Sequence, residues 1–396
     1  MNVVERFQLT DRRLLDLAHD LAKTYRHRCE SLGIAPDVSR MVVSWGGGKD
    51  STVALTLACA IRDLTGATVQ AYTMHHPGLT PGVLANIDRI SNHLGVAHEW
   101  RQFNEQVNRE APHESWFRLY RMLWNALPGH PRFMCIACNL GATTCEYRAL
   151  THHRPHFHVT GNPQSELDEF DRWLSALRHE LEGQVAFPVA TGNATRDYFR
   201  VWHAIYEALL SDISGIASSA CEDVIEGSST PDGPADALLN QTAIPQAYLH
   251  EYLYPLPSKT CDVGDIHPLN LMNLSGVIES PERRGQLLSI AGWQLPSDIP
   301  GGTESDCAFP SAIAHLTIER YGRHNYESKL ANAIEVFRPT DEMASRARSW
   351  LESGRTEIEG RNLIKRLRFC ASQSASAIGP QSTVAKRLAD KLFPIR

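Results

Sequence analysis

The residues of this chain best placed to do chemistry are contiguous: Ser44-Trp45-Gly46-Gly47-Gly48-Lys49-Asp50-Ser51-Thr52. They follow a short apolar run, Met41 to Trp45, and precede a segment in which Val53, Leu57, Ala60 and Ile61 recur at helical spacing. The pattern predicts a strand, a glycine loop and a helix. Glycines have no Cβ and let main-chain N–H groups come close to an anion. The unsatisfied N–H groups and the dipole of the following helix favour negative charge at the same place. Lys49 adds a positive charge, and Ser51 and Thr52 add hydroxyls in the first helical turn. That combination is suited to phosphate or pyrophosphate. A glycine turn with a Ser or Thr cap and no ligand is the plain alternative. Asp50 reads equally as an acid stabilising a helix N-terminus or as a group that orients the loop or a metal. The spelling matches neither Gly-x-x-x-x-Gly-Lys-Ser/Thr nor Gly-x-Gly-x-x-Gly.

A second set of reactive side chains lies further on. Cys135 and Cys138 are separated by two residues, the gap that lets two sulfurs face one metal. A single such pair is half a metal site, and Cys261 and Cys307 are the candidates to complete it around an iron–sulfur cluster or Zn2+. A redox thiol pair, or ordinary packing of small half-buried side chains, are the alternatives. Cys29, Cys59 and Cys370 fall within helical patterns and read as core. His152, His153, His156 and His158 cluster in sequence, but no acid or cysteine stands at a matching spacing, so they read as polar surface or satisfied core residues.

Gly47-Gly48-Lys49-Asp50-Ser51 closely resembles the pyrophosphate loop of the adenine nucleotide alpha hydrolase superfamily, usually written Ser-Gly-Gly-x-Asp-Ser. Gly46 stands where the leading serine would be, with Ser44 two residues earlier. This spelling is similar to one found among proteins like phosphoadenosine phosphosulfate reductases. The resemblance implies an adenine and ribose site near the end of a second strand, Tyr72-Thr73-Met74-His75-His76, and a further glycine turn, here Gly161-Asn162. In the thiolation branch of the superfamily that turn is Gly-His followed by paired acids; this chain has Asn162, with Glu166, Asp168 and Glu169 beyond it. The resemblance covers residues 38 to about 260, strongly at the loop and weakly elsewhere.

What the resemblance implies is cleavage of ATP between its α and β phosphates, with Mg2+. A substrate oxygen is adenylated, pyrophosphate leaves into the loop, and sulfur or nitrogen then displaces AMP. Lys49, Asp50 and Ser51 would be the catalytic group; Ser44, Gly46, Gly47, Gly48, Thr52, Thr73, Met74, His75, Gly161 and Asn162 would contact the nucleotide. The cysteine order is similar to that of the superfamily's two-thiocytidine tRNA synthetases, without their second Cys-x-x-Cys. The segment Gly292-Trp293-Gln294-Leu295-Pro296, ahead of Cys307, is loosely similar to a tryptophan-proline turn of the sugar amidotransferases, which implies carboxyl-terminal helices folded back over the ATP site. The implied partners are a small-molecule or tRNA substrate and a sulfur or ammonia donor protein, with a homodimer left open. Two other readings stay beside this one: a sulfonucleotide reductase-like enzyme, whose usual Glu-Cys-Gly-x-His motif is missing, and a nucleotide-binding subunit without chemistry of its own.

The elements that must hold these residues alternate. Thr68 to Met74 is strand-like; Val83, Ile87, Ile90 and Leu94 line a helix face; Val96 to Trp100 is a third strand. Phe157 to Thr160 is a fourth, with helical stripes before it at 116–124 and 140–150 and after it at about 164–181. Strands alternating with helices of this length pair in parallel, so the expected fold is α/β: an open, twisted parallel sheet with helices on both faces. Leu14, Leu17, Leu21 and Tyr25 mark an amphipathic helix in a separate segment 1–37, expected as a lid or docking helix. Residues 38–260 form the nucleotide-binding domain, with an insertion around 211–245, and 261–396 a mainly helical cover.

Composition limits the partners. The chain has 396 residues, 42% of them hydrophobic, which is ample for a core, and 45 acids against 39 bases give a formal net charge of -6. No chain-wide positive field invites nucleic acid; the local run Arg346, Arg348, Arg355, Arg361, Lys365, Arg366 and Arg368 is the one basic patch that could meet tRNA. No apolar run reaches the ~18 residues of a membrane helix. Nine cysteines, an odd number thinly spread, suit a reducing compartment, so a cytoplasmic protein without membrane contact is expected.

Overall fold

The computed structural model describes residues 1–76, 78–102, 133–162, 265–299, 307–324 and 352–366, with the shorter pieces 196–204, 345–346 and 348–349 and several single positions. The expected stripe at 116–124 and the insertion at 211–245 lie outside the described residues, and of the stripe at 164–181 the structure describes Ser175 and His179, both helical.

The described strands form one parallel sheet. They are β1 (Arg40–Ser44), β2 (Thr68–His75), β3 (Ala97–Gln102), β4 (Phe157–Val159) and β5 (His267–Pro268), in the spatial order β3-β2-β1-β4-β5. Every pairing is parallel, with Ser44 beside Tyr72, Tyr72 beside Glu99, and Val43 beside Val159. The fold is therefore α/β, as the alternation of elements predicts. The first four strands agree with the sequence pattern to within two residues. β5 is a departure: a two-residue strand leaves almost no period-2 signal, and the sequence beyond 261 reads only as helix.

Alternate residues of β1 enter two different cores, as a strand with both faces covered requires. Met41 and Val43, with Phe157 and Val159 of β4, pack beneath α3 (Lys49–Thr65) and α4 (Pro81–Leu94). Val42 and Tyr72 pack on the opposite face against Cys145, Ala149 and Leu150 of α5 (Phe133–His153). α3 is buried continuously from Thr52 to Ile61, which explains its weak amphipathicity. Gly66, in the left-handed region at φ +81°, stops it and returns its N–H to the carbonyl of Arg62.

The amino-terminal segment differs from the expected lid. It forms two helices, α1 (Val3–Thr10) and α2 (Arg12–Ser31), split at Asp11, whose carboxylate caps α2 at the amide of Arg13. Val3, Phe7, Leu14, Leu21 and Tyr25 belong to the core that covers α3, and the Tyr25 ring meets Phe157 at 5.1 Å. Burying each of these larger apolar side chains contributes roughly 1.5–3 kcal/mol, so the segment is a structural layer of the sheet domain. The carboxyl-terminal segment joins the same core. Leu271 and Met272 of α6 (Leu271–Leu274), and Leu287, Leu288 and Ile290 of α7 (Pro281–Ala291), pack in it. α8 (Phe309–Tyr321) packs on α9 (Arg355–Arg366) and touches α5.

Among the described residues no helix is long and apolar enough to cross a membrane.

Candidate functional site

From β1 the chain builds outward through β2 to β3, and from β4 it builds the other way to β5. The order reverses between β1 and β4. In open parallel sheets ligands lie beyond the carboxyl ends of the strands at such a reversal, where two loops part. The glycine loop leaves β1 there, and the Gly161 turn leaves β4 beside it.

The loop's path is set by glycines with specific demands. Gly47 has φ +77°, and a Cβ at that position would stand 2.7 Å from Cγ1 of Ile87 in α4. Gly48 caps α3 in extended conformation with no side-chain bond, and its carbonyl accepts from the amide of Thr52 at 3.0 Å. Across the cleft, a Cβ on Gly161 would lie 2.6 Å from the amide nitrogen of Ser51. The β4 turn thus rests on the first turn of α3 through main chain alone. Among the described residues, the N–H groups of Gly47 and Gly48 have no hydrogen-bond partner. Gly46 N–H reaches the Ser51 hydroxyl at 3.4 Å, and that hydroxyl reaches the Gly48 carbonyl at 3.4 Å, both long contacts.

Charge is concentrated at the same end of α3. Nζ of Lys49 lies 2.7 Å from Oδ2 of Asp50, and a guanidinium nitrogen of Arg284 in α7 lies 3.9 Å from Oδ1 of the same carboxylate. Asp50 therefore sits between two cations. Among the described residues, two basic side chains and one acidic one meet at this end of α3. Arg284 has no counterpart in the sequence reading, because 234 residues separate it from Asp50 and its own helix carries no motif. Trp293, which the sequence does single out, donates Nε1–H to the Gly47 carbonyl at 3.1 Å. The segment after α7 therefore folds back onto the glycine loop.

Other predicted contacts face inward. Thr52 is buried and accepts the indole N–H of Trp45 at 3.0 Å. Thr73 is buried, donates to the Trp45 carbonyl at 2.5 Å and stands 2.9 Å from Nε2 of His98. Met74 is half-buried against the α5 core. His75 meets the edge of Trp100 at 5.4 Å, and burial lowers its pKa. Asn162 is exposed next to Gly161; Glu166, Asp168 and Glu169 lie outside the described residues.

Ser44 heads a polar network in which Tyr72 and His158 are buried and Ser44 and Glu146 half-buried. Its Oγ is 2.5 Å from the Tyr72 hydroxyl and 2.7 Å from Nε2 of His158, and Nδ1 of His158 is 3.3 Å from Oε1 of Glu146 in α5. Burial pushes the Glu146 carboxyl up to about 8 and the His158 imidazole down to about 4, and raises the Tyr72 phenol. Between those values Glu146 keeps its proton and His158 stays neutral, so the cluster carries no net charge. The network fixes three strand ends just below the loop. The sequence places Ser44, Tyr72 and His158 on strands but cannot pair them; Glu146, within an undistinguished helical stripe, has no signal of its own.

Of the four cysteines, Cys138 and Cys307 have described side chains. Cys138 lies on α5, partly exposed, and Cys135 lies one turn earlier in the same helix. Cys307 borders the β2–α4 connection, where a Cβ on Gly78 would lie 2.9 Å from its sulfur and the Phe309 amide donates to it at 3.4 Å. Cys261 lies outside the described residues. Cys29 and Cys59 are fully buried, as core packing predicts, and burial raises both thiol pKa values, Cys59 to about 12. Of the basic run, Arg346 is turned inward onto the carbonyls of Pro296 and Ile299.

No protein-family model matches this chain, and no curated protein matches it in sequence.

Proposed function

We propose that this chain is an ATP pyrophosphatase that adenylates a carbonyl, amide or carboxylate oxygen of a small-molecule or tRNA substrate, so that sulfur or nitrogen can replace it. One observation carries the reading: the N–H groups of Gly47 and Gly48, without a hydrogen-bond partner among the described residues, stand at the strand reversal with Lys49 and Arg284 beside them. A nucleotide bound there would supply the phosphoanhydride whose cleavage drives the exchange. Preorganised donors at the end of α3 would stabilise the charge that develops on departing pyrophosphate, at no reorganisation cost during the step. Lys49 would contribute a point charge, and Asp50 would orient it. The buried hydroxyls of Thr52 and Thr73 would hold the loop and the β2 end in place instead of touching phosphate. Gly161, packed on Ser51, would keep the second wall of the cleft close.

Asp50, paired with Lys49 and near Arg284, is the acid at this end of α3 among the described residues, and it would be the one to meet Mg2+.

The test is product analysis of ATP turnover with Lys49→Ala as the control. Release of AMP and pyrophosphate by the wild-type chain, and its loss in the variant with an unchanged circular dichroism spectrum, are expected. ADP and phosphate as products would overturn adenylation, and full turnover in Lys49→Ala would remove the loop from the site.

A further inference from the structure

The histidines at the end of α5 have no acid at a matching spacing in sequence, but the fold supplies one. Oε1 of Glu99, in the outer strand β3, lies 2.8 Å from Nε2 of His153. The His152 and His153 rings stand 4.7 Å apart, and the three potential ligand atoms, one from each of Glu99, His152 and His153, all lie within 4.8 Å of one another. We infer that Glu99, His152 and His153 form a binding site for a divalent transition metal ion, with zinc as the natural occupant, that ties the last turn of α5 to β3.

The donor set argues for the metal class. Two imidazoles and one carboxylate suit zinc and its neighbours, and suit calcium or magnesium poorly because those ions select oxygen. Tetrahedral zinc with bonds of about 2.1 Å holds its ligand atoms about 3.4 Å apart. The present group needs rotamer adjustment of about an ångström to reach that spacing. The supports are in place. Glu99 is on a strand, and its Oε1 also accepts from Nε of Arg101 at 2.8 Å, the kind of outer-shell bond that fixes a ligating carboxylate. The carboxyl end of a helix carries partial negative charge, which favours a cation at His152 and His153. His152 is exposed, and His153 lines a cavity of about 420 Å³ shared with Arg40, Gln70 and Ala97, so an ion has a way in from solvent. Three protein ligands leave at least one coordination position for water. On binding, the hydrogen bond between His153 and Glu99 is replaced by two bonds to the ion, and any proton on the ligating nitrogen moves to solvent or to Nδ1.

Cobalt titration of the full chain, stripped with chelator, tests this. One equivalent of Co2+ should give weak visible d–d bands without the intense near-ultraviolet charge-transfer band of a thiolate ligand, and added Zn2+ should bleach them. Affinity should fall at least about tenfold in His152→Ala and in His153→Ala, and stay unchanged in the Cys135→Ala/Cys138→Ala double variant and in Lys49→Ala. If His153→Ala fails to fold by circular dichroism, Glu99→Gln, nearly identical in shape, carries the same comparison. Unchanged cobalt affinity in the histidine or Glu99 variants, or loss in the cysteine variant alone, overturns the site. Because the readout is metal binding, a failed ATP assay leaves this result standing.

Discussion

Nε1 of Trp293 donates to the carbonyl of Gly47 at 3.1 Å, joining residues 246 positions apart at the centre of the glycine loop. Holding that carbonyl fixes the peptide plane that it shares with the N–H of Gly48. Trp293→Phe keeps an aromatic ring and deletes the donor together with part of the indole's packing. A hydrogen bond of this kind is worth roughly 0.5–1.5 kcal/mol, so pyrophosphate binding by calorimetry should weaken by about threefold to tenfold while the melting temperature moves little. Unchanged affinity would mean that the indole only packs.

Arg284 reaches the loop from α7, and its charge adds to that of Lys49. Arg284→Gln should weaken pyrophosphate binding by about fivefold at low salt, on the scale of about 1 kcal/mol for a partly exposed charge interaction. The difference from wild type should shrink as ionic strength rises, because screening shortens the reach of both cations. A difference that persists unchanged in high salt would assign Arg284 a purely steric role.

Two glycines should respond to alanine with opposite signs. At Gly161 a new Cβ would press on the main chain at Ser51, so Gly161→Ala should destabilise by about 1–3 kcal/mol through overpacking and weaken pyrophosphate binding. At Gly285, within α7, nothing lies within 4 Å of the new Cβ. Gly285→Ala should stabilise by about 0.5–1 kcal/mol through helix propensity. Urea denaturation of both variants measures the pair of signs.

The network below the loop makes stability depend on pH in a defined direction. Glu146 holds its proton in the native state until about pH 8, whereas the unfolded chain releases it near its ordinary value of 4.5. Between those values the native state binds more protons from this group, so its contribution to stability falls as pH rises. His158 works the other way: its native pKa is lowered to about 4 against an ordinary 6.5, so its contribution rises with pH over that interval. The two oppose each other below about 6.5, and Glu146 acts alone from there to about 8. Stability should drop by about 2 kcal/mol across that upper window, and Glu146→Gln should flatten the slope in denaturation curves taken between pH 6.5 and 8. An identical slope in the variant would assign the effect elsewhere.

The sequence by itself determined the alternation of β1 to β4 with α3 and α4, and the place of the glycine loop between β1 and α3, because period, glycine punctuation and helix capping are local properties. Cys29 and Cys59 were legible as core for the same reason: each sits on the apolar face of its own helix. The tertiary structure decided everything that depends on closing long stretches of chain. It put α1 and α2 into the main core, added β5 to the sheet, delivered Arg284 and Trp293 to the loop, and set Glu146 against His158 and Glu99 against His153. Those pairs lie on separate elements, and no local pattern records which faces will meet; that choice follows from burying both sides of one parallel sheet at once.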